Sequence, residues 1–210
     1  MQHRKIAILG SAPSLVATPR EGWEYWSLMS NFQSTSLPVV PNRWFELHTP
    51  VHLLGVGVSQ AEIDYLGTME NMWMMSPVGK ANQFPRNEVL GIRKGIQYFT
   101  SSIAWVIGLA ILEKVDTIGL WGVDLMLTKE YQRERPCIEN LLGFAEGQGI
   151  NIVIPENSPL CKGALYCDKF AYELQLRAKE AEVRIKKAEY DKAYSEGERD
   201  TIEAIRYTRG

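Results

Sequence analysis

Two short apolar runs of this chain each end in a glycine followed by polar residues that could bind a ligand. Residues 5–9 lead into Gly10-Ser11-Ala12-Pro13-Ser14, and residues 118–121 lead into Gly122-Val123-Asp124. Glycine lets a backbone approach a ligand closely, and serine hydroxyls together with loop amides can hold a phosphate. A strand that stops at such a bend is the first unit of many nucleotide-binding folds. These residue types therefore favour phosphate or nucleotide binding.

The bend at Gly10 has a second interpretation. It contains one glycine, whereas the G-x-G-x-x-G fingerprint of dinucleotide-binding folds has three, so dinucleotide binding is disfavoured. An ordinary strand-to-loop turn, with Ser14 as the cap of a following helix, would show the same residues. Residue types alone leave the phosphate loop and the plain turn open.

A third polar group, Thr100-Ser101-Ser102, comes directly before the apolar residues 103–112. Together with residues 118–121, this stretch predicts a turn, a buried helix, a short loop and a buried strand. In open α/β sheets, helix N-termini and loop amides converge at the carboxyl ends of the strands, where ligands bind. We therefore expect this turn to share one edge of the sheet with Gly10 and Asp124.

The remaining elements follow from hydrophobic periodicity. The sequence predicts strands at residues 5–9, 23–31, 43–48, 118–121 and 152–154, a loop followed by a strand at 51–58, helices at 88–97, 103–112 and 138–147, and loops at 76–88 and 128–136. Strands that alternate with helices indicate βαβ units and a mostly parallel sheet. The predicted fold class is α/β and Rossmann-like, with helices flanking the sheet and a charged helix at the C-terminus.

Composition argues against several classes of function. The formal charge of −2 over 210 residues disfavours a general nucleic-acid binder, since no net positive field attracts phosphate backbones. A membrane span needs about 18 consecutive apolar residues, and no apolar run of this sequence is that long. The three cysteines form neither a C-x-x-C pair nor a zinc spacing, which favours a reduced, cytoplasmic protein without a disulfide framework. No metal and no other cofactor is expected.

The composition changes at Asp168. Apolar residues then recur at steps of three and four on a charge-rich segment, at Leu174, Ala178, Ala181, Ile185 and Ala188. Such a narrow stripe is typical of a helix packed on one partner surface or of a short coiled coil. The sequence therefore predicts two domains, residues 1–165 and 168–210. The C-terminal helix either lies back on its own domain or joins two copies of the chain into a homo-oligomer.

Four motifs of the chain resemble a known family. GSAPSL, FTSSIAWVIGLAI, IGLWGVD and IVIPENSPL are similar in order and spacing to the sialyltransferase-like fold of glycosyltransferase family 42, over residues 4–161. With RWFELH and EYQRERP added, the string also resembles a group of small proteins from tailed bacteriophages. The resemblance implies a Rossmann-type fold that binds a nucleotide or a nucleotide-sugar, encoded by a phage and acting in the cytoplasm of its host.

The resemblance also implies roles for individual residues. In the family, the loop after the first strand, the threonine-serine turn and the final P-x-S turn contact or approach a CMP-sugar donor, and the G-x-D contacts its nucleoside. The matching residues are Gly10, Ser11, Pro13 and Ser14, then Thr100, Ser101 and Ser102, then Gly122 and Asp124, and then Asn157 and Ser158. Asn31 matches an asparagine that follows the second strand in the family.

The predicted polar loop at residues 128–136 follows the G-x-D directly. Its side chains that could reach a nucleotide are Tyr131, Arg133, Glu134 and Arg135. The guanidinium fork of an arginine pairs bidentately with phosphate, so we expect the two arginines to bind the phosphate of the ligand. Solvated surface charge is the alternative.

One departure from the family bears on catalysis. The family's general-base histidine lies in the loop after the G-x-D, and residues 131–136 contain no histidine. A general base contributes about 10²–10⁴ in rate, and Asp124 or Glu134 could take this role if its surroundings raised its pKa. His48 could reach the site from the third predicted strand, although a half-exposed structural histidine is the commoner case.

The sequence thus predicts a nucleotide or nucleotide-sugar binding protein that acts as a metal-independent enzyme of glycosyltransferase type. Metal independence is expected because Asp124 stands alone at the sheet edge, with no D-x-D pair to hold a metal. Two alternatives remain open. One is a non-catalytic binder that sequesters a nucleotide-derived metabolite or signal, and the other is a phage structural or interaction protein that kept the fold.

Overall fold

The computed structural model describes residues 3–34, 37–125 and 129–163, and within the C-terminal segment residues 176–185, 187–189, 192 and 194. The chain divides into two compact units, Met1–Lys162 and Gly163–Gly210. The first unit contains a β-sheet and the helices around it. In the second unit, residues 176–185 form a helix.

The sheet of the first unit has seven strands. They are β1 (Lys5–Leu9), β2 (Glu24–Leu28), β3 (Arg43–Glu46), β4 (Met72–Met74), β5 (Asn82–Gln83), β6 (Thr117–Trp121) and β7 (Asn151–Val153). Their order is β5-β4-β3-β2-β1-β6-β7, and every neighbouring pair is parallel. The strand order reverses between β1 and β6, so the carboxyl ends of these two strands form the topological switch point of the sheet.

Helices connect the strands. They are a 3₁₀ turn (Pro13–Ala17), α1 (Ser30–Ser34), α2 (Pro50–Gly55), α3 (Gln60–Leu66), α4 (Arg86–Leu90), α5 (Ser102–Leu112) and α6 (Lys129–Gly147). Among the described residues, no helix combines the length and the apolar character that crossing a membrane requires. A parallel sheet flanked by helices confirms the predicted α/β, Rossmann-like class.

The helix α5 forms much of the core. Most of its residues are buried, and they pack against Ile6 and Ile8 of β1. Ser101 caps its N-terminus, since Oγ of this serine accepts a hydrogen bond from the Ala104 amide at 3.3 Å. After its C-terminal end, Lys114 adopts φ = +52° and turns the chain towards β6. The predicted turn, buried helix and buried strand are therefore confirmed.

The helix α2 shows that the predicted loop and strand at residues 51–58 were wrong. Thr49 starts this helix, because its side chain accepts a hydrogen bond from the His52 amide at 3.3 Å. Pro50 occupies the first helical turn, where its missing N–H is not needed. Most of the apolar residues that suggested a strand lie on the surface, with Val51 80% and Val56 64% exposed, whereas Leu53 is buried.

The helix α6 likewise replaces the predicted polar loop at residues 128–136, because it begins at Lys129 and continues through Pro136. Glutamate, glutamine and arginine are good helix formers, and Arg135 pairs with Glu139 one turn later at 2.8 Å. The helix predicted at residues 138–147 is the second half of this longer one.

Smaller differences concern where elements begin and end. β2 stops at Leu28 and α1 begins at Ser30, so Asn31 lies on a helix rather than at a strand end. The loop predicted at residues 76–88 contains β5 and the start of α4, and α4 ends at Leu90 rather than near residue 97. Elements of two to five residues give too few positions for a periodic pattern.

Four charged side chains join the amino ends of the strands to the end of α5. Arg4 lies 3.0 Å from Glu24 and 2.7 Å from Glu113, and Arg43 lies 3.2 Å and 2.6 Å from the same two carboxylates. Burial alone would raise the pKa of Glu24. Hydrogen bonds from Arg4 and Trp26, together with the charges of both arginines, instead hold that pKa below its ordinary value.

We expect this ion-pair cluster to make the free energy of unfolding depend on acid pH. A carboxyl whose pKa is lowered by folding contributes fully above its unfolded pKa, about 4.5 for Glu24, and loses that contribution as the pH falls through the lower folded value. The free energy of unfolding, measured with urea at pH about 6 and at pH about 3, should therefore fall more for wild type than for Glu24→Gln.

A matched control is Glu70→Gln, which removes an exposed carboxylate paired with Lys80 at 3.3 Å. Exposed ion pairs contribute little to the free energy of unfolding. Glu70→Gln should therefore lose as much stability as wild type between the two pH values. An equal loss in Glu24→Gln and wild type would contradict the role of the cluster.

Candidate functional site

A cavity of about 450 Å³ lies at the carboxyl ends of the strands around the switch point. It is bordered by the bend after β1, the start of α1, His48 after β3, the start of α5 and the bend after β6. The predicted site residues on its lining are Gly10, Ser11, Pro13, Asn31, Ser101, Ser102, Gly122, Asp124 and Glu134. Two bends and a serine turn that are far apart in sequence thus face one hollow.

Hydrogen bonds tie the bend after β1 to the bend after β6. The Ala12 amide donates to the Gly122 carbonyl at 2.9 Å, and the Gly122 amide donates to Ser14 Oγ at 2.8 Å. The Ser14 amide donates to Asp124 Oδ2 at 3.1 Å. We refer to these three bonds as the clasp. Ser14 is fully buried within it, so its side chain holds the bends together, caps no helix and does not line the cavity.

Two glycines allow the bends to touch. A Cβ atom at Gly10 would lie 2.1 Å from the Gly122 carbonyl oxygen, and one at Gly122 would lie 2.5 Å from the Gly10 carbonyl oxygen. Gly122 also has φ = +72°, a conformation that side chains with a Cβ rarely adopt. The sequence suggested that these glycines let the backbone approach a ligand. In the structure they let the loop after β1 approach the loop after β6.

The N-terminus of α5 forms another side of the cavity. Ser101, Ser102 and Ile103 line it. The first amides of a helix have no acceptor within that helix, and the helix dipole adds partial positive charge at this end. This corner therefore suits an anion such as phosphate. Thr100 is exposed and is not part of the lining.

Asp124 is the buried acid of the cavity wall, with 7% of its surface exposed. Its Oδ2 atom accepts the clasp bond from the Ser14 amide, whereas its Oδ1 atom is buried and has no hydrogen-bond partner among the described residues. A buried carboxylate oxygen without a donor is costly, and such atoms are rare in folded proteins. A ligand hydroxyl or amine could supply the missing donor.

Asn31 supports the site from α1. Its Nδ2 atom donates to the Leu9 carbonyl at 2.9 Å and to Ser27 Oγ at 3.0 Å, and 2% of the residue is exposed. The amide hydrogens therefore hold the carboxyl end of β1. Asn31 touches the cavity, and its donors are used within the protein.

The two arginines predicted to bind phosphate do not line the cavity. The guanidinium of Arg135 donates to Glu139 Oε1 and to the Pro159 carbonyl, each at 2.8 Å, and so ties α6 to the loop after β7. Arg133 is exposed. Both positions follow from the helical structure of this segment, which the predicted loop did not anticipate.

Three further predicted residues are placed elsewhere or lie outside the description. Ser158 is 2% exposed and its Oγ accepts a hydrogen bond from the Leu160 amide at 3.3 Å, and Asn157 is exposed. Neither lines the cavity. The side chain of Tyr131 lies outside the described residues.

One titratable residue that the sequence left as a structural histidine lines the cavity, namely His48. Its ring is half-exposed and contacts the Glu46 carboxylate. The feature of the sequence that could have indicated a role in the site is its position at the end of a predicted strand, at the edge where ligands bind. Both predicted catalytic acids, Asp124 and Glu134, line the cavity. Glu134 belongs to α6 and interacts with other residues of the protein.

Within the described ranges, no group of three or more His, Cys, Asp or Glu side chains is arranged to hold a metal ion. Asp124 and Glu134 are the carboxylates on the described lining of the cavity.

Comparisons with known proteins find similarity in solved structures. No protein-family model and no curated protein matches the chain. The sialyltransferase CstII from Campylobacter jejuni, in complex with the substrate analogue CMP-3FNeuAc, aligns over 79% of this chain and 83% of its own, with 12% identity and a TM-score of 0.45. An α-2,3-sialyltransferase from Campylobacter jejuni in apo form aligns over 79% and 78%, with 14% identity and a TM-score of 0.40. These identities transfer no residue's role.

We expect Gly10→Ala to open the clasp. The new Cβ would meet the backbone of Gly122, which cannot move without separating the two bends. Overpacking of this kind typically costs about 1–3 kcal/mol of unfolding free energy. Gly143→Ala is the control, because a Cβ there meets nothing within 4 Å and alanine favours the helix by about 1 kcal/mol. Equal unfolding free energies for the two variants in urea would contradict the account.

Proposed function

We propose that the cavity at the switch point binds a nucleotide or nucleotide-sugar, and that the chain is an enzyme of glycosyltransferase type. The observation that carries this proposal is the meeting of the Gly10 bend, the Ser101 turn and Asp124 around one cavity. Its volume of about 450 Å³ lies within the range of small-ligand pockets, about 300–1,000 Å³. The resemblance to glycosyltransferase family 42 rests on the motifs that contain these same residues.

The charges of the cavity favour one phosphate over two. Its described lining contains neither lysine nor arginine. The positive potential at this wall then comes from the N-terminus of α5, worth about half an elementary charge, and from loop amides. This is enough to attract a nucleoside monophosphate, and we propose a monophosphate-linked sugar as the donor.

The nucleoside would be held by Asp124. Among the described residues, no donor pairs with its Oδ1 atom, a buried acceptor on a residue that lines the cavity. Ribose hydroxyls and the exocyclic amine of a base are donors of suitable size. Because the clasp fixes Oδ2 on the Ser14 amide, Oδ1 is held in one position, which lowers the entropic cost of binding.

We propose that transfer proceeds without a metal ion, since no D-x-D pair accompanies Asp124 in the sequence. Origin in a phage and action in the cytoplasm of its host are also part of the proposal, and they rest on the resemblance of RWFELH and EYQRERP to small phage proteins.

A non-catalytic binder is the second candidate. It is favoured by one observation, the lack of a histidine in residues 131–136, where the resembling family has its base. The fate of a bound donor separates the two candidates. Recovery of intact nucleotide-sugar after long incubation with the protein indicates the binder, and release of free nucleotide indicates the enzyme.

Binding is expected to raise stability in a way that depends on Asp124. With CMP at about 100 times its dissociation constant, the free energy of unfolding should rise by about 2.7 kcal/mol, measured as a thermal shift. Asp124→Asn keeps the shape of the side chain and loses its charge. Asparagine has one acceptor oxygen for two donors, the Ser14 amide and the ligand, so one of the two hydrogen bonds is lost. Since a hydrogen bond to a charged group contributes about 1.5–3 kcal/mol, CMP should bind at least about tenfold more weakly.

The control for this variant is Asp64→Asn, which changes an aspartate of α3 that is bonded to Gln60 and is not part of the cavity lining. It should bind CMP as wild type does. If none of CMP, UMP, AMP and GMP shifts the melting temperature of the wild type, the proposed function is wrong.

The C-terminal unit is proposed to join copies of the chain. In the described part of its helix, Leu176 and Val183 are seven residues apart, which places them on one face two turns apart, and they are 45% and 66% exposed. Exposed apolar side chains on a helix favour burial against a partner. A third candidate function, an interaction protein of the phage, would use this same surface.

Removal of the residues from Asp168 onward should therefore lower the mass of the particle in solution. The expected result from light scattering is an oligomer for the full chain and a monomer for the shortened one, with the CMP-induced thermal shift retained. An unchanged number of copies per particle would contradict assembly through this segment.

A further inference from the structure

His48 and Glu46 form a hydrogen-bonded pair at the cavity. Glu46 is the last residue of β3, and His48 follows two positions later on the cavity lining. The Nδ1 atom of His48 lies 2.6 Å from Glu46 Oε1, and the His48 amide donates to the same oxygen at 3.0 Å. The carboxylate side chain is 11% exposed and the imidazole 51% exposed. A shielded carboxylate therefore holds a histidine that solvent and a ligand can reach.

This contact determines which ring nitrogen can accept a proton. A carboxylate accepts hydrogen bonds and does not donate them, so Nδ1 of the neutral ring carries the hydrogen. The lone pair is then on Nε2. The second bond to Glu46, from the His48 amide, fixes the carboxylate relative to the backbone and so limits the orientation of the ring.

Other titratable groups surround the pair. The His52 ring is stacked on the His48 ring, with centroids 4.8 Å apart and planes 16° apart. His52 belongs to α2, whose N-terminal turn is capped by Thr49. Asp124 and Glu134 belong to the same cavity lining as His48. These three groups and Glu46 are the titratable neighbours of His48 among the described residues.

We propose that His48 is the proton acceptor of the cavity, with Glu46 as its positioning residue. This inference rests on the proposed function. The oxygen of an acceptor hydroxyl, or of water, bonds to the anomeric carbon of the sugar while its proton passes to His48 Nε2. The bond between that carbon and the phosphate oxygen breaks, and its electron pair leaves with the nucleoside monophosphate. No oxidant or reductant is needed.

His48 suits this role better than the two acids predicted from the sequence. Asp124 is 7% exposed and its Oδ2 is used by the clasp. Glu134 has interactions with the protein. His48 lines the cavity with a half-exposed ring whose Nδ1 is held by Glu46, so Nε2 is left as the acceptor.

The test compares wild type, His48→Asn, Glu46→Gln and a control, His3→Asn. Asparagine at position 48 can still donate a hydrogen bond to Glu46, but it cannot accept a proton. His3 lies beside Asp116 at the amino ends of the strands, away from the cavity. The probes are CMP-N-acetylneuraminate, UDP-glucose and GDP-mannose, with release of free nucleotide in water as the rate and the CMP-induced thermal shift as the measure of binding.

We expect His48→Asn to bind CMP as wild type does and to release nucleotide about 10²–10⁴-fold more slowly. Glu46→Gln should lower the rate of nucleotide release and leave the CMP-induced thermal shift unchanged, because the base is present but less well oriented. His3→Asn should match wild type in both measurements.

Each contrary result has one meaning. If wild type binds CMP and His48→Asn releases nucleotide at the wild-type rate, His48 is not the base and the proposed function stands. If wild type binds CMP and releases nucleotide from none of the three probes, there is no proton for His48 to accept and the inference is wrong. If wild type binds no nucleotide, the proposed function fails as well.

Discussion

The contact between Gly10 and Gly122 is the constraint on which the site depends. β1 and β6 are neighbours in the sheet although more than a hundred residues separate them. Their carboxyl ends can approach this closely because neither bend carries a Cβ atom at the point of contact. The clasp then fixes Asp124 in the wall of the cavity. A parallel sheet alone would place the bends at one edge, and the two glycines bring them into contact.

The second constraint is the burial of α5. An almost wholly apolar helix has to be covered by other elements, and here the covering surfaces are the sheet and the neighbouring helices. Ser101 precedes the apolar residues of α5 and caps the helix. The N-terminus of the helix lies at the carboxyl edge of the sheet, where it lines the cavity. The opposite end of α5 joins the ion pairs of Arg4 and Arg43. The packing that stabilises the core thus also places a partial positive charge at the cavity.

The parts of the fold that the sequence predicted well are those in which local pattern and burial agree. β1, α5 and β6 are uninterrupted apolar runs with a glycine or a serine at one end, and all three are found as expected. α2 was missed because it buries Leu53 and leaves Val51 and Leu54 exposed, so its apolar residues do not form the periodic pattern of a helix. The start of α6 was missed because charged residues fit a loop and a helix equally well.

Arg135 was assigned to phosphate because its partners, Glu139 and Pro159, become its neighbours only in the folded chain. His48 was set aside because the sequence does not show that Glu46 holds its ring at the cavity.

In the proposed complex, the Gly10 bend and the N-terminus of α5 bind one phosphate between them. Titration of ¹⁵N-labelled protein with CMP, followed by amide NMR shifts, shows whether they do. The account predicts that the amides of Ser11, Ser102 and Gly122 shift together with a single dissociation constant, while those of Arg4 and Glu24 at the opposite edge do not move. Shifts confined to other parts of the molecule, or no shifts at all, would contradict it.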